Sequence, residues 1–206
     1  MDKLTDFIVE YNNVLDESLC ERIINSFEED DRKYQGITTG DLMGIDGYAW
    51  KKSTDLNISQ LSEWEEIDHQ LFHVLSDHLK MYVDHLRDHG CDYGIMENAV
   101  DTGYQIQRTN AGEYYKWHSD FGLAATTDPH IIKARDFSYI FYLNEGFEGG
   151  GTQFFNDNGH IVTPKTGKLL IFPANTIWVH QGMEVTEGSK YIIAGWLMSD
   201  KHLPHG

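Results

Sequence analysis

The residue types best suited to chemistry lie in the second half of the chain, where His118 and Asp120 occur in the segment AGEYYKWHSDFG. Because alternate residues of a strand point to the same side, this imidazole and this carboxylate are expected to face one point. His180, in IFPANTIWVHQGMEV, follows another strand-like run and could add a second imidazole. Two histidines and one carboxylate on one face are typical of a non-haem Fe(II) site with open coordination positions. The pattern therefore predicts His118, Asp120 and His180 as metal ligands and catalytic residues.

The same three residues also allow simpler interpretations. His118 and Asp120 could pair with each other at a strand end, with His180 capping a turn nearby. A zinc or manganese centre in a cupin-like barrel would use the same residue types. A non-catalytic jelly-roll module, binding carbohydrate for instance, would account for the strands and aromatic residues without any metal. On these three residues alone, the alternatives stay open.

A further candidate is Lys190, which lies ten residues after His180 at the head of the strand-like run YIIAGWLM. Burying an ammonium group without an anion is costly, so a lysine that points inward from an apolar strand indicates a charged ligand. A carboxylate of a small metal-bound acid would be a suitable partner. The simpler interpretation is a solvent-exposed lysine at the end of a strand.

Two kinds of periodicity indicate how these residues are positioned. Helical patterns occupy the first half: one helix follows Asp16 as N-cap, and a longer one starts near Ser62, with Glu65 completing a capping box, and stops at Gly90. From about residue 100, short β-branched and aromatic runs alternate with glycine-rich turns. Helices followed by strands predict an α+β fold, a double-stranded β-helix (jelly roll) with N-terminal helices packed on one face. We expect one domain over 1–206, with helical support in 1–99 and the catalytic core in 100–200.

Charge and composition narrow the classes of partner. The 206 residues include 33 acidic and 16 basic side chains, a net charge of −17. This field disfavours nucleic acid and anionic membrane surfaces, and it slightly favours a basic peptide substrate. The N-terminus carries acidic residues and no long apolar run, so a cytoplasmic location is expected. The two cysteines follow no metal-binding spacing, and no sequence pattern specifies an oligomeric state.

Several ordered segments resemble the 2-oxoglutarate/Fe(II) oxygenases, and within them the prolyl 4-hydroxylase-like branch. GEYYKWHSD is similar to that branch's metal segment, and ARDFSYIFYLNEGFEGGGTQFF to its strand, turn and following strand. VTPKTGKLLIF and WVHQGMEVTEGSKYIIAGW resemble its last hairpin and final segment. The start, FIVEYNNVLDESLCERII, is similar as well, and KKSTDL more weakly. The resemblance is strongest from Gln105 to Ser199, about half of the chain.

The resemblance implies a role for each matching position. His118, Asp120 and His180 would hold Fe(II), Lys190 would bind the distal carboxylate of 2-oxoglutarate, and Trp196 would line that pocket. Tyr115 and Arg135 match positions that touch the peptide substrate in some relatives. Where the branch often has a tyrosine contacting 2-oxoglutarate, this chain has Thr109, so Gln107 or another group is expected to contribute to cofactor binding instead. A histidine that some relatives carry after Trp196 is replaced by Met198.

The implied activity is hydroxylation of a C–H bond, with a prolyl residue of a peptide or protein as the expected target. Fe(II), 2-oxoglutarate and O2 would be required, with ascorbate as a candidate reductant. Halogenases of the superfamily carry a small residue at the Asp120 position, so the carboxylate argues for hydroxylation. A free amino acid or other small molecule is the alternative substrate. Residues 34–60 and 121–133 are candidates for a lid over the substrate.

Overall fold

The structure is a computed structural model that describes residues 3–38, 50–91, 99–127 and 131–202. Within these ranges two α-helices, α1 (Glu17–Glu29) and α2 (Glu65–Asp88), precede most of the strands. The strands are β1 (Val9–Tyr11), β2 (Tyr34–Gln35), β3 (Thr54–Asn57), β4 (Val100–Asp101), β5 (Gln105–Asn110), β6 (Tyr115–His118), β7 (Leu123–Ala125), β8 (Ile131–Tyr142), β9 (Glu148–Gly149), β10 (Thr152–Phe154), β11 (Ile161–Val162), β12 (Lys168–Pro173), β13 (His180–Gly182), β14 (Val185–Glu187) and β15 (Ser189–His202). The predicted α+β jelly roll is confirmed.

Two antiparallel sheets form the body of the fold. In the described residues the larger sheet has the order β1-β12-β8-β15-β5-β3-β2, with β4 beside β15 and β7 beside β8, and the smaller sheet has the order β11-β10-β13-β6. A short β14-β9 ribbon adjoins them. Strands β1, β2 and β3 come from the first half of the chain yet pair within the larger sheet. The proposed division between supporting and catalytic halves stays a prediction.

The larger sheet is buried on both faces, and strand alternation decides which side chain goes where. In β8, Tyr139 and Phe141 join the core beneath the helices, while Ile140 and Tyr142 join a second core on the opposite face. The long β15 behaves in the same way. This explains why FSYIFY reads as a continuous apolar run, since only a sheet covered on both sides buries every residue of a strand.

Helix α2 covers the outer face of this sheet with one apolar stripe. Its buried residues recur at helical spacing: Ile67, Leu71, Leu75, Leu79, Tyr82, Val83 and Leu86. Each such side chain contributes on the order of 1.5–3 kcal/mol on full burial, which fixes the helix against the sheet. The helix ends as predicted, with Gly90 at a positive φ of 76°. In the described ranges no helix combines the length and apolar character needed to cross a membrane.

The predicted helix starts differ in detail. Asp16 is the N-cap of α1, but its side chain makes no capping hydrogen bond, and its carbonyl accepts instead from Leu19 and Cys20. The capping box of Ser62 and Glu65 is wrong. A 3-10 turn, Ser62–Trp64, precedes α2, because the buried Trp64 donates its indole N–H to Asp30 at 3.1 Å and so ties this turn to α1.

The two predicted lid segments are only partly described. Residues 39–49 and 128–130 lie outside the described ranges. Of the remainder, β7 pairs with β8 and β3 pairs with β5, so both segments contain sheet structure as well as loop.

Candidate active site

The smaller sheet brings the predicted metal ligands together. Its strands β6 and β13 are antiparallel, and their register places His180 directly opposite His118. Asp120 follows β6 by two residues. One ligand atom from each side chain lies within 4.8 Å of the other two. Within the described residues, this is the sole group of three or more such side chains that could hold one metal ion.

The distances within the group suit a shared ion better than hydrogen bonding. Asp120 lies 3.6 Å through Oδ1 from His118 Nε2, and 3.6 Å through Oδ2 from His180 Nε2. Both separations are too long for a hydrogen bond. Ligands about 2 Å from one ion are separated by distances of this kind, so the three side chains fit a facial two-histidine, one-carboxylate centre.

Backbone carbonyls fix the tautomer of each imidazole. His118 Nδ1 lies 2.7 Å from the Lys116 carbonyl, and His180 Nδ1 lies 3.1 Å from the Trp178 carbonyl. A carbonyl can only accept, so the proton belongs on each Nδ1 and the lone pair on each Nε2. Burial and the neighbouring His180 lower the pKa of His118, which keeps its ring neutral. Both imidazoles are thus prepared to donate electron pairs to a cation.

The carboxylate is held in its ionised form. Burial by itself raises the pKa of Asp120, but His180, His118, Ser138 and Trp196 outweigh it, and the pKa is lowered. The Ser138 hydroxyl donates to Asp120 Oδ2 at 2.7 Å. Ser138 itself is buried in β8, so the hydroxyl orients the carboxylate from the wall of the larger sheet.

Strand β15 forms the opposite wall of the cavity. Lys190, Ile192, Ala194 and Trp196 alternate along it, and all four line the cavity that contains the three ligands. Lys190 is 4% exposed, and its ammonium group donates to the Gly150 carbonyl at 2.9 Å. Burial lowers the pKa of Lys190 to about 8.

No described carboxylate lies within 4.0 Å of Lys190 Nζ, whereas the buried Lys168 is paired with Glu10 at 2.5 Å. A single carbonyl does not balance a buried ammonium charge, so the cavity fits an anion at this end. This is the chemistry expected of a pocket for a dicarboxylic acid whose other end binds a metal.

Further polar side chains line the same cavity. Gln107 is nearly buried, and its amide nitrogen donates to Gln105 at 2.6 Å. Thr109 lies opposite Lys190 in the β5–β15 register. Thr152, from β10, also faces the cavity and shares a hydrogen bond of 2.7 Å with the Tyr142 hydroxyl. Thr109 and Thr152 thus add hydroxyl groups to the cavity wall, beside the amide of Gln107 that the sequence analysis expected there.

Tyr115 and Arg135 occupy different settings. The Tyr115 ring stacks on His118, with ring centres 3.6 Å apart, and lines the cavity. The guanidinium of Arg135 lies 3.6 Å from the centre of the Trp196 ring and donates to the Asp120 carbonyl at 3.4 Å. Arg135 is therefore behind Trp196 rather than on the cavity wall.

The segment KKSTDL, which the sequence analysis matched only weakly and without a role for its residues, contributes to the cavity. Lys51 pairs with Asp55 at 2.6 Å, and both side chains are buried. Ser53 donates to the same carboxylate at 2.7 Å. Lys51 forms a β-bridge with Tyr115, which brings this segment onto the cavity. Lys51 and Tyr115 are far apart in the chain, so no local sequence pattern predicts their pairing.

Comparison with known proteins agrees with this geometry. Residues 104–198 match the model of the 2OG-Fe(II) oxygenase superfamily. Mouse procollagen-lysine,2-oxoglutarate 5-dioxygenase 1 is 31% identical over 55 residues, which are 27% of this chain and 8% of that protein. The chain therefore corresponds to a small part of the length of that relative.

Solved prolyl hydroxylases share the fold over 94% of this chain. A Pseudomonas putida prolyl-4-hydroxylase superposes with a TM-score of 0.65 at 17% identity, over 93% of its own length. The viral collagen prolyl hydroxylase of Paramecium bursaria Chlorella virus-1, in complex with 2OG, gives 0.60 at 19% over 96%. A prolyl hydroxylase of Trichoplax adhaerens, in complex with a peptide of hypoxia inducible factor, gives 0.64 at 15% over 84%.

Proposed function

We propose that the chain is a 2-oxoglutarate-dependent dioxygenase that hydroxylates a prolyl residue of a peptide or protein, because residues 104–198 match the model of the 2OG-Fe(II) oxygenase superfamily and solved prolyl hydroxylases share the fold. The observation that carries the proposal is the convergence of His118, Asp120 and His180 with the buried Lys190 in one cavity. A simple metal site would not need the lysine, and a binding module would need neither. Use of ascorbate and a cytoplasmic location belong to the same proposal.

In this superfamily, Fe(II) activates O2 while 2-oxoglutarate is converted to succinate and carbon dioxide, and one oxygen atom enters a C–H bond of the substrate. The protein's own contribution is to bind and orient. His118 and His180 present Nε2 with the proton kept on Nδ1, and Ser138 fixes the rotation of the Asp120 carboxylate. These contacts set the ligand positions before any metal binds.

Lys190 would hold the far carboxylate of 2-oxoglutarate. The ammonium group is buried, so a carboxylate there would gain a charge-assisted hydrogen bond in a setting of low dielectric. Trp196 and Gln107 flank the same space, while Thr109 and Thr152 offer hydroxyl donors. Closing this end against water would also protect the reaction at the metal.

The fold and the mouth of the cavity support a prolyl substrate within a chain. The solved neighbours are prolyl hydroxylases, and one of them is described with a bound peptide. Here Tyr115 and Tyr114 line the cavity beside the metal group, and their exposed ring atoms offer an apolar surface to a pyrrolidine. Arg135 would act through Trp196, which its guanidinium covers.

The experiment is peptide oxidation by purified protein with Fe(II), 2-oxoglutarate, ascorbate and isotopically labelled dioxygen. We expect one labelled oxygen atom to appear on proline, in step with succinate, and both products to vanish in His118→Ala. Labelled oxygen on lysine or on a free amino acid would instead establish the dioxygenase and reject the prolyl assignment. Succinate that still forms in His118→Ala would reject the proposed ligand.

A further inference from the structure

The mouth of the cavity carries lysines held over aromatic rings. We call Trp50, Lys52, Tyr114 and Lys116 the basic rim. The two segments are tied by backbone hydrogen bonds of 2.8 Å, from Lys52 to the Tyr114 carbonyl and from Lys116 to the Trp50 carbonyl. The β-bridge between Lys51 and Tyr115 lies between them. The rim is therefore a two-stranded extension of β6, the strand that carries His118.

Cation–π contacts position both ammonium groups of the rim. Lys52 Nζ and Lys116 Nζ lie 5.4 and 5.5 Å from the centre of the Tyr114 ring, and Lys116 Nζ lies 5.8 Å from the Trp50 ring. Lys52 and Tyr114 line the cavity, while Trp50 is 49% exposed. The rim thus leads from the cavity wall to the surface, with ammonium groups held over aromatic rings and a half-exposed indole.

The charge of Lys116 is not balanced by any carboxylate of the described residues within 4.0 Å, although the chain has twice as many acidic as basic residues. The neighbouring Lys51 differs, because it is buried and paired with Asp55. Other lysines, such as Lys133 and Lys201, also face carboxylates. Among the described residues, Lys116 is therefore an unbalanced positive charge at the site mouth of a chain whose net charge is −17.

We propose that the basic rim is a subsite for acidic residues of the substrate peptide, which flank the residue that is oxidised. This inference rests on the proposed function and names its substrate class. A glutamate or aspartate carboxylate would meet Lys116, and an adjacent apolar side chain would pack beside Trp50. At physiological salt, charges separated by more than about 8 Å are largely screened, so the rim outweighs the negative charge of distant surfaces.

The proposal reverses the expectation from net charge, which favours a basic peptide. Net charge describes the field far from the molecule, whereas docking is decided by charges in contact with the ligand. A peptide that approaches His118 along the rim would meet Lys116, whose ammonium group lies over the Tyr114 ring beside the cavity.

The test uses three synthetic peptides with one central proline, flanked by glutamate, glutamine or lysine. Their dissociation constants are measured with the intact protein loaded with Fe(II) and 2-oxoglutarate without oxygen, and kcat/KM is measured in air. The wild type should prefer the glutamate peptide over the lysine peptide by on the order of tenfold. Comparing peptides within each variant cancels any general loss of activity.

Lys116→Glu should erase or invert this preference, and Lys116→Gln should reduce it to an intermediate value. Lys165→Glu, which makes the same charge change at an exposed turn between β11 and β12, should keep the wild-type preference. Equal preference in the wild type and Lys116→Glu would overturn the proposal, as would a wild type that prefers the lysine peptide.

The two proposals fail in different ways. If glutamate peptides bind in a Lys116-dependent manner but gain no oxygen on proline, the rim stands and the prolyl assignment falls. If proline is oxidised equally well next to glutamate and lysine, the prolyl assignment stands and the rim falls. Circular dichroism of each variant shows that the fold is retained.

Discussion

The inner end of the cavity and its mouth both carry lysine side chains, but these differ in burial and hydration. At the inner end, the buried Lys190 and the half-buried Asp120 face one cavity, where a bound anion and a metal ion would complete their partners. At the mouth, Lys116 is exposed and hydrated, so its contacts are worth little energy but can select among peptides. The two proposals therefore assign the affinity for the metal and cosubstrate to the inner end of the cavity, and the discrimination among substrates to its mouth.

The largest effect should follow loss of a metal ligand. His180→Ala removes a buried imidazole with a fixed tautomer, so Fe(II) affinity should fall by more than the roughly 10–100-fold typical of outer-shell partners. The measurement is an anaerobic metal titration with equilibrium dialysis. His73→Ala, on the surface of α2, is the matched control and should bind iron normally. Iron binding by His180→Ala at the wild-type level would contradict the site.

Loss of the Lys190 ammonium group, at the inner end of the cavity, should have the second-largest effect. Lys190→Met removes one charge-assisted contact, worth about 1.5–3 kcal/mol, so KM for 2-oxoglutarate should rise roughly 10–150-fold. The ligand-free variant should also melt at a higher temperature, because an unbalanced buried charge is gone. Steady-state kinetics and thermal unfolding measure both.

Lys168→Met provides the contrast within the same fold. Lys168 is buried but paired with Glu10, so its loss should lower the melting temperature and leave KM for 2-oxoglutarate unchanged. If Lys190→Met destabilises the ligand-free protein as Lys168→Met does, Lys190 is already compensated without a ligand, and the account of the inner end is wrong.

The pH dependence should separate the two ends further. The pKa of Lys190 lies at about 8 in the folded, ligand-free protein, below its ordinary 10.5. KM for 2-oxoglutarate should therefore be flat below pH 8 and rise about tenfold per unit above it. Between pH 8 and 10.5 the unfolded chain binds more protons at this group, so its contribution to stability rises with pH. A flat profile to pH 10 would contradict this.

The smallest of these effects should follow the loss of the hydrogen bond that orients the Asp120 carboxylate. Ser138→Ala deletes the donor to Asp120 Oδ2 and should weaken Fe(II) binding by about tenfold. Ser138→Thr keeps a hydroxyl and should restore most of the loss. The same dialysis experiment measures both variants, and equal affinity in Ser138→Ala and the wild type would remove Ser138 from the site.

The features that could be predicted from the sequence are those that follow from strand and helix periodicity. The i, i+2 spacing placed His118 beside Asp120, and the apolar stripe located α2 with its end at Gly90. Ser138 could also have been predicted from the sequence, because side chains alternate along β8 and the single serine of FSYIFY faces the same side as Ile140.

Other features depend on contacts that have no local signal. The pairing of His180 with His118 is a register between strands far apart in the chain. The basic rim depends on backbone pairing between residues 50–52 and residues 114–116. These two segments are far apart in the chain, and neither has a sequence pattern that predicts the pairing. The capping box failed for the same reason, since burial of Trp64 against Asp30 outweighed a local motif.

The most direct test of the central claim is an anaerobic titration of 2-oxoglutarate into the protein, with and without Fe(II), followed by calorimetry and visible absorption. Cooperation between the metal group and Lys190 predicts tight binding and a visible band only when Fe(II) is present, both weakened in Lys190→Met. Binding of 2-oxoglutarate that is the same without Fe(II), or unaffected by Lys190→Met, would contradict a joint site for metal and cosubstrate.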